Sequence, residues 1–287
     1  MSLDERKQKE AEFHDKVRDE ALKSNESEFV RLNSNKKFYS VVRKSRAFTE
    51  QWLAERCKGK RALDFCCGDG DLTIQLAKMG AEAFGIDISP VSIEIAKRKT
   101  ANLSLQGKTF FSVQDAEKLE FPEDYFDIIV CSGVLHHLDI EKAFQQISRV
   151  LKPGGEVICI EPLVYNPIFH LYRKLTPQLR TEWEAKHILS KKDIKTARKY
   201  FGDVKIRFFH LFTLAAVPFR KTPLFNFALR ALEITDSIIL RIPLIGWLAW
   251  QFVFILSHPH TKQEQSAGDG KIGEASSCYG VGARPKK

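Results

Sequence analysis

The stretch ALDFCCGDGD, residues 62–71, decides the fold. It opens as an apolar run of strand type, RALDFC (61–66), and then turns abruptly to glycine and aspartate. Helical spacing follows in LTIQLAKM, with Asp71 as the expected N-cap and Gly80 as the expected stop. A strand, a glycine loop and a helix in that order are the first unit of a parallel α/β sheet.

The rhythm repeats outward. AEAFGID (81–87) is strand-like, and Ser89 with Pro90 opens the helix VSIEIAKRKTANL. KTFFSV (108–113), YFDIIVC (125–131) and GEVICIE (155–161) are further strands. A helix from about Asp139 to Leu151 carries Ala143, Phe144, Ile147, Val150 and Leu151 on one apolar face. DVKIRFFHLFTL (203–214) and QFVFIL (251–256) complete the set. The spacing therefore predicts an α/β fold, doubly wound, with a mostly parallel seven-stranded sheet. N-terminal to it, residues 1–36 are charged with weak helical spacing at Phe13, Val17, Ala21 and Leu22, and a second helical pattern runs from Phe38 to Cys57. The expected organisation is a helical lid over 1–57, one α/β domain over 58–257 and an aperiodic, disordered tail over 258–287. Within the domain, 162–250 reads as a basic and apolar helical cap.

Charge is concentrated in that cap. The net charge is +9, and His170–Lys221 alone holds thirteen Lys or Arg against four Asp or Glu. Such a segment can face nucleic acid, anionic lipid or an acidic substrate, or be a solvated surface. Asn226, Arg230, Glu233, Ser237 and Arg241 form a narrow polar stripe on an otherwise apolar helix, whose wide apolar face is expected either to cap the core or to rest on something greasy. The run Ile242–Ser257 contains Pro243, Gly246 and Gln251 and falls short of the roughly 20 residues that a span needs. The opening MSLDERKQKEAEF has no apolar h-region, which argues against a cleaved leader. Six cysteines without CxxC or framework spacing read as reduced thiols of a cytoplasmic protein.

Parallel sheets bind ligands at the carboxyl ends of their strands, which is where CGDGD lies. Gly68 and Gly70 leave room for a ligand, and Asp87, ending the second strand, is placed to accept hydrogen bonds from ribose hydroxyls. A dinucleotide fingerprint wants a third glycine where this chain has Thr73. With LDFCCGDG, GIDIS, QDAEKLEF, FDIIVCSGVLHHL and LKPGG in order, the sequence resembles the class I S-adenosylmethionine-dependent methyltransferases, strongly over 60–161 and more loosely to 257.

That resemblance implies S-adenosylmethionine as cofactor. It implies Asp64, Cys66, Gly68 and Gly70 at the methionine end, Asp87 on the ribose, Ile88 against adenine, Asp115 at the adenine amino group, and Ala116 and Ser132 beside the cofactor. Cys66 stands where the family usually has glycine, and as a cysteine it is expected to take an ordinary negative φ. Asp69 and Asp71 read as turn and cap residues. Catalytic candidates are His136 and His137, with Glu161 behind them, and no metal is expected. The place of the [DNS]-P-P-[YFW] element reads CSGV, which argues against nucleobase amino methylation. The acceptor is expected to be small and apolar, lipid-like or polyketide, in a cytoplasmic protein that touches anionic membrane. An RNA methyltransferase, a silent methyltransferase-like subunit and a nicotinamide oxidoreductase are the other readings.

Overall fold

The computed structural model describes residues 3–22, 35–101, 103, 105, 108–176, 181, 183–184 and 187–261. Its centre is a seven-stranded sheet of β1 (Arg61–Phe65), β2 (Glu82–Asp87), β3 (Thr109–Val113), β4 (Phe126–Ser132), β5 (Leu151–Pro162), β6 (Phe201–Phe209) and β7 (Gln251–Pro259). The order across the sheet is β3-β2-β1-β4-β5-β7-β6. β3, β2, β1, β4 and β5 are parallel, while β7 runs antiparallel to both β5 and β6. The chain steps one way from β1 and returns to place β4 on its other side, so the carboxyl ends of β1 and β4 flank the crevice where such sheets bind ligands.

Successive side chains of a strand point to opposite faces, and each face here has its own core. Leu63, Phe65, Ile129 and Cys131 pack with Phe144, Ile147, Tyr200 and Phe252. Ala62, Ile128 and Val130 pack with Trp52, Leu53, Leu76 and Val253. Both faces are covered, and that is why the central strands read as unbroken apolar runs. The first face is closed by α5 (Ile140–Val150) and α7 (Lys191–Tyr200), and the second by α2 (Arg43–Ala54) and α3 (Asp71–Lys78). α4 (Pro90–Ala101) packs on β2 and β3.

Several local expectations are corrected. The pattern over 38–57 splits into a 3-10 stretch, Asn35–Val41, and α2. β6 stops at Phe209, and the chain turns at His210 with φ +66° into a 3-10 stretch, Thr213–Phe219. The N-cap of α3 is Gly70 with φ +82°, and Asp71 sits in the first turn, where a carboxylate suits the helix dipole. The tail beyond residue 261 lies outside the described residues.

The segment between β6 and β7 has its own architecture. Gln251 at the start of β7 is level with both Pro162 and Phe209, so α6 (Pro167–Leu175), the 210–250 connection and α8 (Phe225–Ile239) all leave from the ligand-binding edge. Of the two expectations for α8, its apolar face does not cap the core. Glu233 and Asp236 are buried, while Phe227, Ile234 and Ile238 are exposed. Glu233 receives both Nε and Nη2 of Arg43, at 2.6 and 2.8 Å. Asp236 accepts the backbone N–H groups of Leu211, Phe212 and Thr213 at 3.2, 2.8 and 3.3 Å. Rotating α8 to bury its apolar face would strip these partners from two carboxylates, at a cost of several kcal/mol.

Candidate functional site

The loop 66–70 is shaped by close packing. A Cβ on Gly70 would sit 2.7 Å from Ala96 Cβ and 3.0 Å from the Phe111 ring. Gly70 therefore serves chain-to-chain approach between the loop, α4 and β3, as well as its left-handed φ. Gly85, in the middle of β2, escaped the sequence reading. A Cβ there would lie 2.7 Å from Thr73 Oγ1 and 2.9 Å from Cys67 Sγ, so this glycine lets the loop lie on β2. Cys66 corrects the expectation for its backbone: φ is +64°, the left-handed conformation that glycine takes without penalty. The turn holds a thiol-bearing residue in the geometry a glycine would prefer, at a cost of about 1–2 kcal/mol.

Three carboxylates stand at consecutive strand ends. Asp64 in β1 is buried and accepts Thr73 Oγ1–H at 2.7 Å. Burial pushes its carboxyl up to about 7; the Thr73 bonds oppose this, and the negative neighbours Asp87 and Asp69 add to it. Asp87 closes β2 and receives the Gly68 N–H at 2.8 Å and the Ser89 N–H at 2.9 Å, which locks the loop to the second strand. Asp115 follows β3 and accepts the Glu117 N–H at 2.9 Å. Ile88 is half-buried, Ala116 is buried in the same core cluster as Phe84 and Leu119, and Ser132 is exposed at the tip of β4. Asp69 and Asp71 both bind Lys99 of α4, at 2.6 and 2.7 Å, so they clamp the loop to that helix.

Across the switch point lies a second cluster. Glu161, fully buried at the end of β5, accepts the N–H groups of Val134 and Leu135 on Oε1, both at 2.8 Å. Its Oε2 is 2.7 Å from His136 Nδ1. An ionised carboxylate can only accept here, so it holds a proton on Nδ1 and leaves Nε2 as the nitrogen turned away from Glu161. His137 is held differently, with Nδ1 3.1 Å from Glu10. Burial works against its charge, but Glu10, Glu184 and Glu161 outweigh it and raise the imidazole above its ordinary value. Of the two histidines, His136 is the one bonded to a carboxylate of the sheet itself.

Glu10 belongs to α1 (Leu3–Leu22), which lies across these strand ends. Arg6 forms a buried ion pair with Glu117, Lys7 pairs with Asp115, and Asp15 receives the Ser89 hydroxyl. Glu117 also accepts the Asp139 N–H at 2.7 Å, tying α1 to the start of α5. The weak amphipathic pattern of residues 1–36 gave no sign of these contacts, because their partners lie about a hundred residues away. Among the described residues no group of three or more His, Cys, Asp or Glu is placed to hold a metal, and Cys57, Cys66, Cys67, Cys131 and Cys159 are free thiols.

Residues 62–155 match the family described as methyltransferase domain. Demethylmenaquinone methyltransferase of Staphylococcus aureus, strains JH9 and Newman, is 37% identical over 126 residues, which is 41% of this chain and 51% of the relative. The chain spans about half the length of the curated relatives it matches. The PH0226 protein of Pyrococcus horikoshii OT3 superposes with a TM-score of 0.52 at 17% identity, covering 82% of this chain and 100% of that one. Geranyl diphosphate C-methyltransferase of Streptomyces coelicolor A3(2) gives 0.52 at 13% identity, covering 77% and 82%. At these identities the likeness to solved structures is one of fold.

Proposed function

We propose that this chain, whose residues 62–155 match a methyltransferase domain, is a class I S-adenosylmethionine-dependent methyltransferase that transfers methyl from S-adenosylmethionine to a small apolar acceptor. The observation that carries this reading is the run of Asp64, Asp87 and Asp115 at the ends of β1, β2 and β3, facing His136 and Glu161 across the switch point. Asp64 fits the amino-acid end of the cofactor on physical grounds. A buried carboxyl raised to about 7 lacks a cation, and an ammonium group supplies one. Asp87 would take the ribose hydroxyls on the lone pairs that Gly68 and Ser89 leave open, Ile88 and Ala116 would line the adenine, and Asp115 would accept its amino group. Ser132, Gly68 and Cys66 lie along the same edge.

The sulfonium cofactor supplies an electrophilic methyl group, so the protein's part is orientation, exclusion of water and, for a protonated nucleophile, a base. His136 Nε2 is that base. Glu161 fixes the tautomer and balances the imidazolium once the proton has moved. The apolar acceptor is supported by the likeness to demethylmenaquinone methyltransferase and by the greasy cap over the ligand edge, in which Phe38, Phe169, Leu214 and Trp250 form one cluster. Such an acceptor is drawn from a lipid phase rather than from water.

Titration calorimetry tests the cofactor assignment. The wild type is expected to bind S-adenosylmethionine and not NAD, and Asp87→Ala to lose about 1–3 kcal/mol, roughly five- to 150-fold. Unchanged affinity in Asp87→Ala, or preferred binding of NAD, refutes it. Transfer of labelled methyl into a lipid extract, present in the wild type and lost in His136→Gln, would separate an enzyme from a silent subunit.

A further inference from the structure

α8 wears its apolar side outward. Phe227, Ile234 and Ile238 are 75%, 58% and 62% exposed, and they recur at helical spacing on the face opposite Leu229, Glu233 and Asp236. The face continues past the helix into Ile242 and Leu244, the latter 80% exposed on the helical turn Pro243–Gly246. The inversion is enforced from within: the partners of the buried Glu233 and Asp236 hold the helix in this rotation. A contiguous apolar face that water must wet is a contact surface for something.

Charge identifies the occupant. Residues 204–261 contain two acidic residues, Glu233 and Asp236, and both are buried. Between residues 210 and 250 the exposed cations are Arg220, Lys221, Arg230 and Arg241, and that stretch exposes no acidic side chain. Arg230 and Arg241 flank the Phe227–Ile234–Ile238 stripe on one side. Arg241 lies near enough to Arg207 that the two repel, which together with burial lowers the Arg207 guanidinium from its ordinary value. A second copy of this chain across a two-fold axis would bring like charges together. Apolar side chains in the acyl boundary, with arginines at the level of the head groups, suit an anionic lipid surface.

We infer that α8 and the turn Pro243–Gly246 seat the protein on an anionic membrane, with the apolar stripe in the acyl boundary and Arg230 and Arg241 on the lipid phosphates. No described helix is long and apolar enough to cross a membrane, so the contact is in the plane of the surface. The connection that carries α8 leaves from the carboxyl edge of the sheet, so the seated face lies at the same end of the molecule as Asp64, Asp87 and His136. The inference rests on the apolar-acceptor reading for its purpose: an acceptor dissolved in the bilayer reaches the site without crossing water.

Vesicle co-sedimentation with the full chain tests it, using phosphatidylcholine alone and an equal mixture of phosphatidylcholine and phosphatidylglycerol. The wild type is expected to sediment with the mixed vesicles at low salt. It should be released as ionic strength approaches 1 M, where the Debye length falls to about 3 Å. Arg230→Gln and Arg241→Gln should each weaken binding about fivefold, the worth of one basic residue near the surface. Phe227→Gln with Ile238→Gln, both solvent-facing changes, should abolish sedimentation at an unchanged melting temperature. The inference is overturned if the wild type stays in the supernatant with mixed vesicles, or if the Phe227/Ile238 variant sediments equally well. It is also overturned if light scattering shows a wild-type dimer that this variant dissolves, which would give the face to a second copy. Vesicle binding needs neither cofactor nor acceptor, whereas cofactor titration needs no lipid, so failure of either reading is seen separately.

Discussion

Replacing Glu161 by glutamine separates what this side chain does for the fold from what it does for His136. The wild-type carboxylate makes three bonds in a fully buried place: two from the backbone of Val134 and Leu135, one with His136 Nδ1. In Glu161→Gln the amide oxygen keeps the two backbone N–H groups, and the amide NH2 is turned toward His136. That group only donates, so Nδ1 must give up its proton and the ring must change to the Nε2–H tautomer. One charge-assisted bond of about 1.5–3 kcal/mol becomes a neutral one of about 0.5–1.5 kcal/mol, for a net loss near 1 kcal/mol. Glu161→Ala instead leaves two buried N–H groups unpaired at about 1–3 kcal/mol each, together with a cavity, and about 3–5 kcal/mol should be lost. Urea unfolding reads the stabilities, and nitrogen NMR of labelled histidine reads the tautomer. With an acceptor in hand, loss of the base should lower turnover by about 10²–10⁴ in the Gln variant despite its near-native stability. Two outcomes refute the reasoning: an unchanged His136 tautomer in Glu161→Gln, or a loss below about 1 kcal/mol in Glu161→Ala.

Asp64 should make the unliganded protein less stable as pH rises. Its folded carboxyl is raised by burial from 3.8 to about 7, so the folded state holds the proton more tightly, and stability falls between roughly pH 4 and 7 and is level above. At about 1.4 kcal/mol per unit the ceiling is near 4 kcal/mol, and in Asp64→Asn that decline should vanish from urea midpoints measured at acid and neutral pH. A wild type whose stability is flat or rising across this window, once other groups are matched by the variant, sinks the assignment. At Cys66, φ +64° predicts that glycine is tolerated within about 1 kcal/mol, while the β-branched Cys66→Val loses about 2–3 kcal/mol. Equal thermal stability of the two variants would mean that the turn relaxes and stores no strain.

The sequence by itself determined the sheet and the edge at which its strand-end carboxylates gather. β1, β2, β4, β5 and β7 were legible as apolar runs because a strand covered on both faces needs nothing but apolar side chains, and the centre of the sheet is covered by helices on both sides. Asp64, Asp87 and Asp115 were legible because strand ends in a parallel sheet fall on one edge wherever the chain goes afterwards. Tertiary structure decided what required a distant partner. His136 and His137 are neighbours of the same type, and only Glu161, 25 residues on, and Glu10, 127 residues back, tell them apart. Gly85 looked like any residue of a strand until Thr73 and Cys67 were packed against it. Cys66 takes a backbone conformation that its residue type disfavours because the loop around it, held by Asp87 and Lys99, leaves no other path. α8 is the clearest case. Its periodicity left the apolar face either capping the core or resting on something greasy, and Arg43, 190 residues before Glu233, and the backbone of 211–213 turned part of the polar stripe inward and the apolar face outward. Periodicity shows that a helix has two faces. Which face is buried depends on the free energy of the groups that meet it, and those come from elsewhere in the chain.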